Sequence, residues 1–533
     1  MRIPRFLSVI LLLSCSAPAA GQSSYELTNP PPTLKVQPTC KDAGPAAVSL
    51  RIAMARGEYE PVQLVVSATS GDVKTLRVAA SDLRGPNGAV IPAKRVVVTP
   101  LGFVNCKKLS PGARLVGEVP DVVLPDRPMD IPAGRRQPFY VTVQTLPKDV
   151  PGEYKGTVRI TARNAPATTL PLTVRVYSLV LPVRSHMRTA FVTREAFRQF
   201  MSSPTDHDEF VRAAINYAKV MLSYRVSPDF GWAPRKNEDG SYDFSDFDKL
   251  LSATVPLGLT GFDIGASGSM ASTPDTKLAK AAAEHFKAKG WWDLHYCYGW
   301  DEASGDVVRR IPVLYKALIK AVPDIKIVQT GWSPNEPVKD LVKIWCPLTA
   351  WIDFNACREA QKKGEEIWWY VCCLPPAPHA NVFVDSPGID QRILGWQSFK
   401  EGIQGFLYWG MDYWTGNTPP LDKYDRANYA NWNPLSYGDT FNGDGYLLYP
   451  GKHDSPLASV RLVGLRDGFE DYDVFTEARA LAEKGAPGAE KLNKLLDFGA
   501  PLIKSMTEFT QDGNDLLARR EQILKAAEEL AAK

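Results

Sequence analysis

Several residue classes are scarce in this chain, and each shortage removes a class of function. There are six histidines in 533 residues, none in metal-ligand spacing, so no protein-held metal and no cofactor is expected. Positive and negative charges nearly cancel, 62 Lys and Arg against 59 Asp and Glu, and no basic run stands out, which argues against a nucleic-acid partner. Past the first residues no segment is apolar enough to cross a bilayer. The eight cysteines match no disulfide framework or zinc-ribbon spacing, so buried thiols are expected. Cys372 and Cys373 adjoin in an expected strand, where neighbours face opposite sides and a bond between them is improbable.

What is present begins with an export signal. A short basic start (Arg2, Arg5) precedes an apolar stretch from Phe6 to Leu13 and then small residues, so residues 1–21 read as a signal peptide. Leu12-Leu13-Ser14-Cys15 resembles a lipobox, which would lipidate Cys15. Cleavage near Ala17-Pro18-Ala19 or before Gln22 is the competing reading. The mature protein is therefore expected outside the cytoplasm: periplasmic, secreted, or lipid-anchored at the envelope. Cys15 would be its one link to a membrane.

The remaining length suggests more than one domain. Residues 22–182 carry short strands separated by Gly and Pro turns, among them Ala47–Ile52, Val62–Val66, Phe139–Val143, Thr157–Ile160 and Leu172–Val176. That pattern predicts an antiparallel β-sandwich. Near Pro182–Met187 the period changes, and residues 183–480 alternate strand and helix. Expected strands are Arg188–Thr193, Tyr224–Asp229, Gly261–Gly265, Leu294–Trp300, Ile325–Gly331, Ala350–Asn355, Ile367–Cys372 and Gly405–Gly410. Expected helices include Asp206–Leu222, Thr276–Lys289, Val313–Ala321, Glu336–Ile344 and Asp390–Glu401. Eight such units predict a (β/α)8 barrel; no glycine-rich phosphate loop follows the first strand, which disfavours an open doubly wound sheet. A helix capped by Ser455 is expected to follow, then a C-terminal helical extension over residues 481–533.

Barrel enzymes build their sites at the carboxyl ends of the strands. There the fourth strand runs His295-Tyr-Cys-Tyr-Gly-Trp-Asp301-Glu302 and ends in two adjacent carboxylates. An acid pair among Trp and Tyr suits sugar hydrolysis, in which one group protonates the leaving oxygen and another supports positive charge at the anomeric carbon. A capping pair for the next helix is the alternative. Retaining barrels commonly pair a strand-four acid with a nucleophile ending strand seven, yet Ile367-Trp-Trp-Tyr-Val-Cys-Cys-Leu374 carries none, and Asp385 lies well into the loop. The vacancy favours attack by a substrate's own 2-acetamido oxygen, with Asp301 orienting the acetamido group and Glu302 doing acid/base work. Trp409, Asp412 and Trp414 after strand eight are candidate sugar contacts, as are Tyr370, Asn355 and Asp229. Asp444 faces the cleft only if its Gly443-Asp-Gly445 turn folds over the strand ends. Arg466 and Glu470, one helical turn apart, suggest a structural ion pair.

Several stretches resemble glycoside hydrolase family 123, the exported β-N-acetylgalactosaminidases. They are Ala55-Arg-Gly-Glu-Tyr-Glu-Pro-Val-Gln63, Trp368-Trp-Tyr-Val-Cys-Cys373, Asn381-Val-Phe-Val-Asp385, Arg392-Ile-Leu-Gly-Trp396, Gly405-Phe-Leu-Tyr-Trp-Gly410, Gly443–Gly451 and Arg461–Tyr472. The resemblance implies a retaining exo-acting hydrolase working through an oxazolinium intermediate, with Asp301 and Glu302 on the family's catalytic pair. It implies an N-acetylhexosamine-terminated glycolipid, glycoprotein or polysaccharide as substrate, with galacto configuration preferred. Ala303 departs from the family, which often has Pro there. The alternatives are a glycosidase for sugars without a 2-acetamido group, needing a second carboxylate such as Asp412 or Asp385, and a non-catalytic glycan-binding surface lipoprotein.

Overall fold

The computed structural model describes residues 23–203, 205–267, 273–414, 432–436, 438–452, 455–485 and 487–532. The expected signal peptide and Cys15 lie outside them. In the N-terminal region, alternating apolar residues build two sheets. One runs in the order Ser24–Thr28, Tyr59–Ser70, Arg136–Gln144, Val96–Cys106, Gly117–Val123; the main path of the other is Leu50–Arg56, Thr168–Val180, Gly152–Thr161, Val73–Ala80, Met129–Ile131. Leu64, Val98 and Val141 of the first share one buried cluster with Ile52, Val158 and Val174 of the second; the first sheet is buried on its other face too, where Leu101 and Tyr140 pack on Val460 and Val463.

The second half is an eight-stranded parallel sheet, nearly closed into a barrel. Its strands are β1 (Arg188–Val192), β2 (Pro228–Asp229), β3 (Phe262–Asp263), β4 (His295–Tyr298), β5 (Ile327–Thr330), β6 (Ile344–Cys346), β7 (Glu366–Val371) and β8 (Gly405–Tyr408). The paired order is β2-β1-β8-β7-β6-β5-β4-β3, and its two ends lie side by side. Ala190, Tyr296, Val328, Ile344, Trp368, Tyr370 and Leu407 fill the interior. Outside run α1 (His207–Ser223), α2 (Ser245–Thr254), α3 (Thr276–Ala288), α4 (Ile311–Ala321), α5 (Phe354–Lys362), α6 (Ile389–Glu401) and α7 (Val460–Glu483). Asp206, Asp275 and Asp353 start α1, α3 and α5 by accepting from first-turn N–H groups.

Three sequence expectations fail here, the first two together. The sixth strand is Ile344–Cys346, and the span expected to be that strand, 350–355, enters α5; the expected helix Glu336–Ile344 is a run of turns. Val338 and Val342 are fully buried four residues apart, a helical spacing produced by an irregular connection, while the true strand shows three residues only. Third, Ser455 does not cap a helix. Ser455–Ala458 pairs antiparallel with Leu448–Lys452, and Ser459 caps α7 by accepting from Leu462 N–H.

Helix α7 runs through residue 480, and α8 (Ala489–Leu496) and α9 (Gly513–Ala531) follow it. Helix α9 packs on the N-terminal strands Leu50–Arg56 and Thr168–Val180. A buried charge network joins the parts. Arg392 of α6 meets Glu60 at 2.9 Å and Asp471 of α7 at 2.7 Å. Arg520 of α9 pairs with Glu58 and at 2.5 Å with Asp471. Burial alone would raise Asp471, but Arg392 and Arg520 outweigh it and hold the carboxyl below its usual range. Arg466 pairs with Asp467 at 2.8 Å, with Glu470 farther off at 3.9 Å. Among the described residues no helix is long and apolar enough to cross a membrane.

Candidate active site

At the carboxyl ends of the strands a cavity of about 580 Å³ is lined by Asp301, Glu302, Tyr298, Thr330, Tyr370, Trp409, Asp229, Asp263 and Asp444. Strand β4 stops at Tyr298, so the acid pair sits on the turn beyond it rather than in the ladder. That turn is clamped from two sides. Tyr315 of α4 accepts from Trp300 N–H at 2.8 Å and donates to Gln329 at 2.6 Å, and Gln329 donates back to the Trp300 carbonyl at 2.8 Å.

The pair is held by neutral hydroxyls. Tyr298 and Thr330 donate to Asp301 Oδ1 at 2.8 and 2.9 Å. The same Thr330 hydroxyl accepts from Glu302 N–H at 3.2 Å, so it ties both residues to the end of β5. Tyr370 of β7 donates to Glu302 Oε1. Burial, with the adjacent carboxylates adding to it, pushes both phenols far above their ordinary range, so they stay protonated and donate. Neither Asp301 Oδ2 nor Glu302 Oε2 accepts a hydrogen bond from the described residues, and both side chains are exposed to the cavity. Glu302 also has a left-handed backbone, φ +41°, a strain of about 1–3 kcal/mol that such sites hold in place. Gly331, itself at φ +81°, makes room: a Cβ there would stand 3.1 Å from Glu302 Cα.

Across the cavity, the Gly443–Gly445 turn does fold over the strand ends. Trp409 donates from Nε1 to Asp444 Oδ1 at 2.8 Å, and Tyr408 to the same atom at 3.3 Å. A Cβ on Gly445 would meet the Trp409 ring at 2.4 Å, so glycine is required at that contact. Asp444 is 1% exposed, its Oδ2 has no partner among the described residues, and burial raises its pKa to about 6. Arg194, after β1, covers the Trp409 ring at 5.5 Å. Asp229 accepts from Gly231 N–H and the Tyr296 hydroxyl, both at 2.8 Å; burial raises it despite these bonds. Burial and then the charge of Asp229 lift neighbouring Asp263 to about 7.

Of the residues expected at the site, Asp301, Glu302, Tyr370, Trp409 and Asp229 come together at the cavity, and three do not. Asn355 sits in the first turn of α5, its amide carbonyl accepting from Arg358 at 3.0 Å, because the sixth strand ends nine residues earlier. Asp412 is fully buried and accepts from Arg194 N–H at 2.6 Å and Ala196 N–H at 2.9 Å, closing the turn after β1. Trp414 is packed, its indole donating to the Leu448 carbonyl at 2.7 Å. Asp385 is likewise spent: it accepts from Ser110 N–H and hydroxyl and from Asn442 at 2.6–2.8 Å. Thr330, Tyr298, Asp263 and Arg194 were not anticipated. The one available signal was their position as polar residues ending, or just after, strands otherwise apolar. Among the described residues no group of three or more His, Cys, Asp or Glu is placed to hold a metal ion.

Family models decide what the cavity belongs to. Residues 275–478 match the model described as glycoside hydrolase 123, catalytic domain, and residues 44–162 match the glycoside hydrolase 123 N-terminal domain. The chain belongs to glycoside hydrolase family 123. It is a glycosidase, and its substrate is a glycan. A family 123 glycoside hydrolase from Clostridium perfringens, studied for glycolipid glycan hydrolysis, has the same fold: TM-score 0.70 at 17% identity, covering 96% of this chain and 98% of that one. A family 39 glycoside hydrolase from Bacteroides cellulosilyticus WH2 (TM-score 0.33, 12% identity, 79% and 82% covered) and a Bacteroides ovatus xyloglucanase (0.31, 8%, 79% and 98%) are far less alike. No curated protein matches the chain.

Proposed function

We propose that this family 123 enzyme is an exported, retaining exo-β-N-acetylhexosaminidase, acting on β-linked N-acetylgalactosamine through participation of the substrate's acetamido group. The observation that carries the reading is the arrangement at Asp301 and Glu302. Two carboxylates on one strained turn are each fixed through one oxygen by neutral donors and each left with one oxygen toward the cavity. Asp301 receives the acetamido N–H and supports the positive charge that builds on it as the acyl oxygen closes on the anomeric carbon. Glu302 gives its proton to the leaving oxygen, then removes one from the water that opens the oxazolinium ring. Asp385 and Asp412, the candidates for a second, nucleophilic carboxylate, are occupied by structural donors, which supports the same reading. The Oδ2 of Asp444, which has no partner among the described residues, suits a hydroxyl of the bound sugar. The similarity to the Clostridium perfringens enzyme is consistent with a glycolipid glycan as the natural target.

One observation favours a second reading. The Asp444 oxygen that has no partner among the described residues is a candidate nucleophile for sugars that lack the acetamido group. A panel of nitrophenyl glycosides with and without it separates the two. Turnover confined to acetamido sugars, with inhibition by a thiazoline mimic of the cyclic intermediate, is the expected result; turnover of 2-hydroxy glycosides at equal rates would transfer the role to Asp444.

A further inference from the structure

The ladder of β7 ends at Val371, and the next two residues leave strand geometry. Buried Asn381 folds the chain there, donating from Nδ2 to the carbonyls of Cys372 at 3.0 Å and Pro375 at 2.9 Å, while Cys372 N–H donates to the Leu374 carbonyl at 2.8 Å. The expectation that the two thiols face opposite sides fails for this reason. Cys372 and Cys373 both line the catalytic cavity, both are partly exposed, and their sulfurs stand 3.9 Å apart. Cys106, Cys297, Cys346 and Cys357 are buried.

We propose that Cys372 and Cys373 are a site of reversible oxidation, closing to a disulfide between neighbours on meeting a small-molecule disulfide and turning the glycosidase down. The Cys372 thiol hydrogen-bonds Cys373 and lowers its pKa, which marks Cys373 as the attacking thiolate. Its sulfur attacks one sulfur of the incoming disulfide, whose S–S bond breaks and releases one thiolate. Cys372 then loses its proton, and its sulfur attacks Cys373 Sγ, expelling the second thiolate. The protein dithiol gives up two electrons and two protons, and the small disulfide becomes two thiols.

Neighbouring Cα atoms are about 3.8 Å apart, short of the roughly 4.4 Å at which ordinary disulfides begin. The bond is therefore strained and easily reduced, which suits a switch and not a staple. Its effect reaches the acid pair over a short path, because Tyr370, two residues before Cys372, donates to Glu302. Rebuilding the turn displaces that donor. The rate effect rests on the role assigned to Glu302; the oxidation does not.

The test incubates the whole enzyme with oxidised glutathione, alkylates it, and weighs the peptide spanning residues 372–373, with glycoside hydrolysis measured before and after dithiothreitol. Expected are a peptide lighter by about two hydrogens, a fall in kcat/KM of about fivefold restored by the reductant, and no such fall in Cys373→Ser. Both cysteines alkylated, a glutathione adduct alone, or a closed disulfide with an unchanged rate would each overturn the proposal. An enzyme inert on every glycoside would sink the functional reading instead, leaving the peptide mass to decide whether the disulfide forms.

Discussion

Two clusters of charge in this glycosidase are built on opposite rules. At the domain joint, Arg392, Arg520, Glu58, Glu60 and Asp471 are buried and answer one another, carboxylate to guanidinium. At the cavity, Asp301 and Glu302 are exposed and held by the uncharged hydroxyls of Tyr298, Thr330 and Tyr370. Asp471, between Arg392 and Arg520, is held as an anion that neither gives up nor takes a proton near neutral pH, whereas burial raises Glu58 to about 8 even against Arg520. The exposed pair is positioned by neutral donors and spends little on desolvation. The scaffold consumes its charges in pairs; the site keeps its own unspent.

The difference predicts opposite phenotypes. Glu302→Gln should lower kcat/KM by about 10³-fold or more, with partial recovery on an activated leaving group, because it removes the proton donor. Its melting temperature should stay near that of the parent, since the side chain is exposed; a marked loss of stability would make Glu302 structural. Arg392→Met should do the reverse, costing about 3–5 kcal/mol in denaturant titrations by leaving Glu60 buried without its close cation and Asp471 with Arg520 alone. Folded Arg392→Met that keeps full stability would remove the joint from the account. Tyr370→Phe lies between them: about tenfold in kcat/KM with a shifted pH profile and little change in stability, since only the donor to Glu302 is lost.

Asp263 offers the finest test, because it is a cavity carboxylate that no cation among the described residues pairs with. Its pKa, raised to about 7 by burial and the nearby charge of Asp229, lets the folded state hold a proton that the unfolded chain has already released. The stability this contributes is full only below the unfolded carboxyl's 3.8 and is lost progressively as pH rises from there through 7. Asp263→Asn should gain on the parent by on the order of 1–2 kcal/mol between pH 5 and pH 8; parallel stability curves would contradict this.

Much of this was legible in the chain. The acid pair ended a strand-like run, and the change of period near residue 183 separated the sheet-rich domain from the barrel. The sixth strand was hidden because three residues buried in a barrel wall show no period, while Val338 and Val342 imitate a helix face. Asp412 and Trp414 misled for a related reason: polar and aromatic residues after a barrel strand serve the turn as readily as the ligand, and here they satisfy backbone groups of neighbouring loops. Thr330 was invisible because its role exists only across strands, bonding Asp301 and Glu302 at once. The motif around Glu58 and Glu60, legible as family likeness, revealed its purpose only when both carboxylates were found against Arg520 and Arg392.

The central claim is that the bound sugar supplies its own nucleophile while Asp301 steadies the acetamido nitrogen. Rates on a series of aryl glycosides whose acetamido methyl carries zero to three fluorines test it most directly, since each fluorine weakens the acyl oxygen without touching the leaving group. The account predicts a steep, regular fall in kcat/KM along the series; a flat series would contradict it.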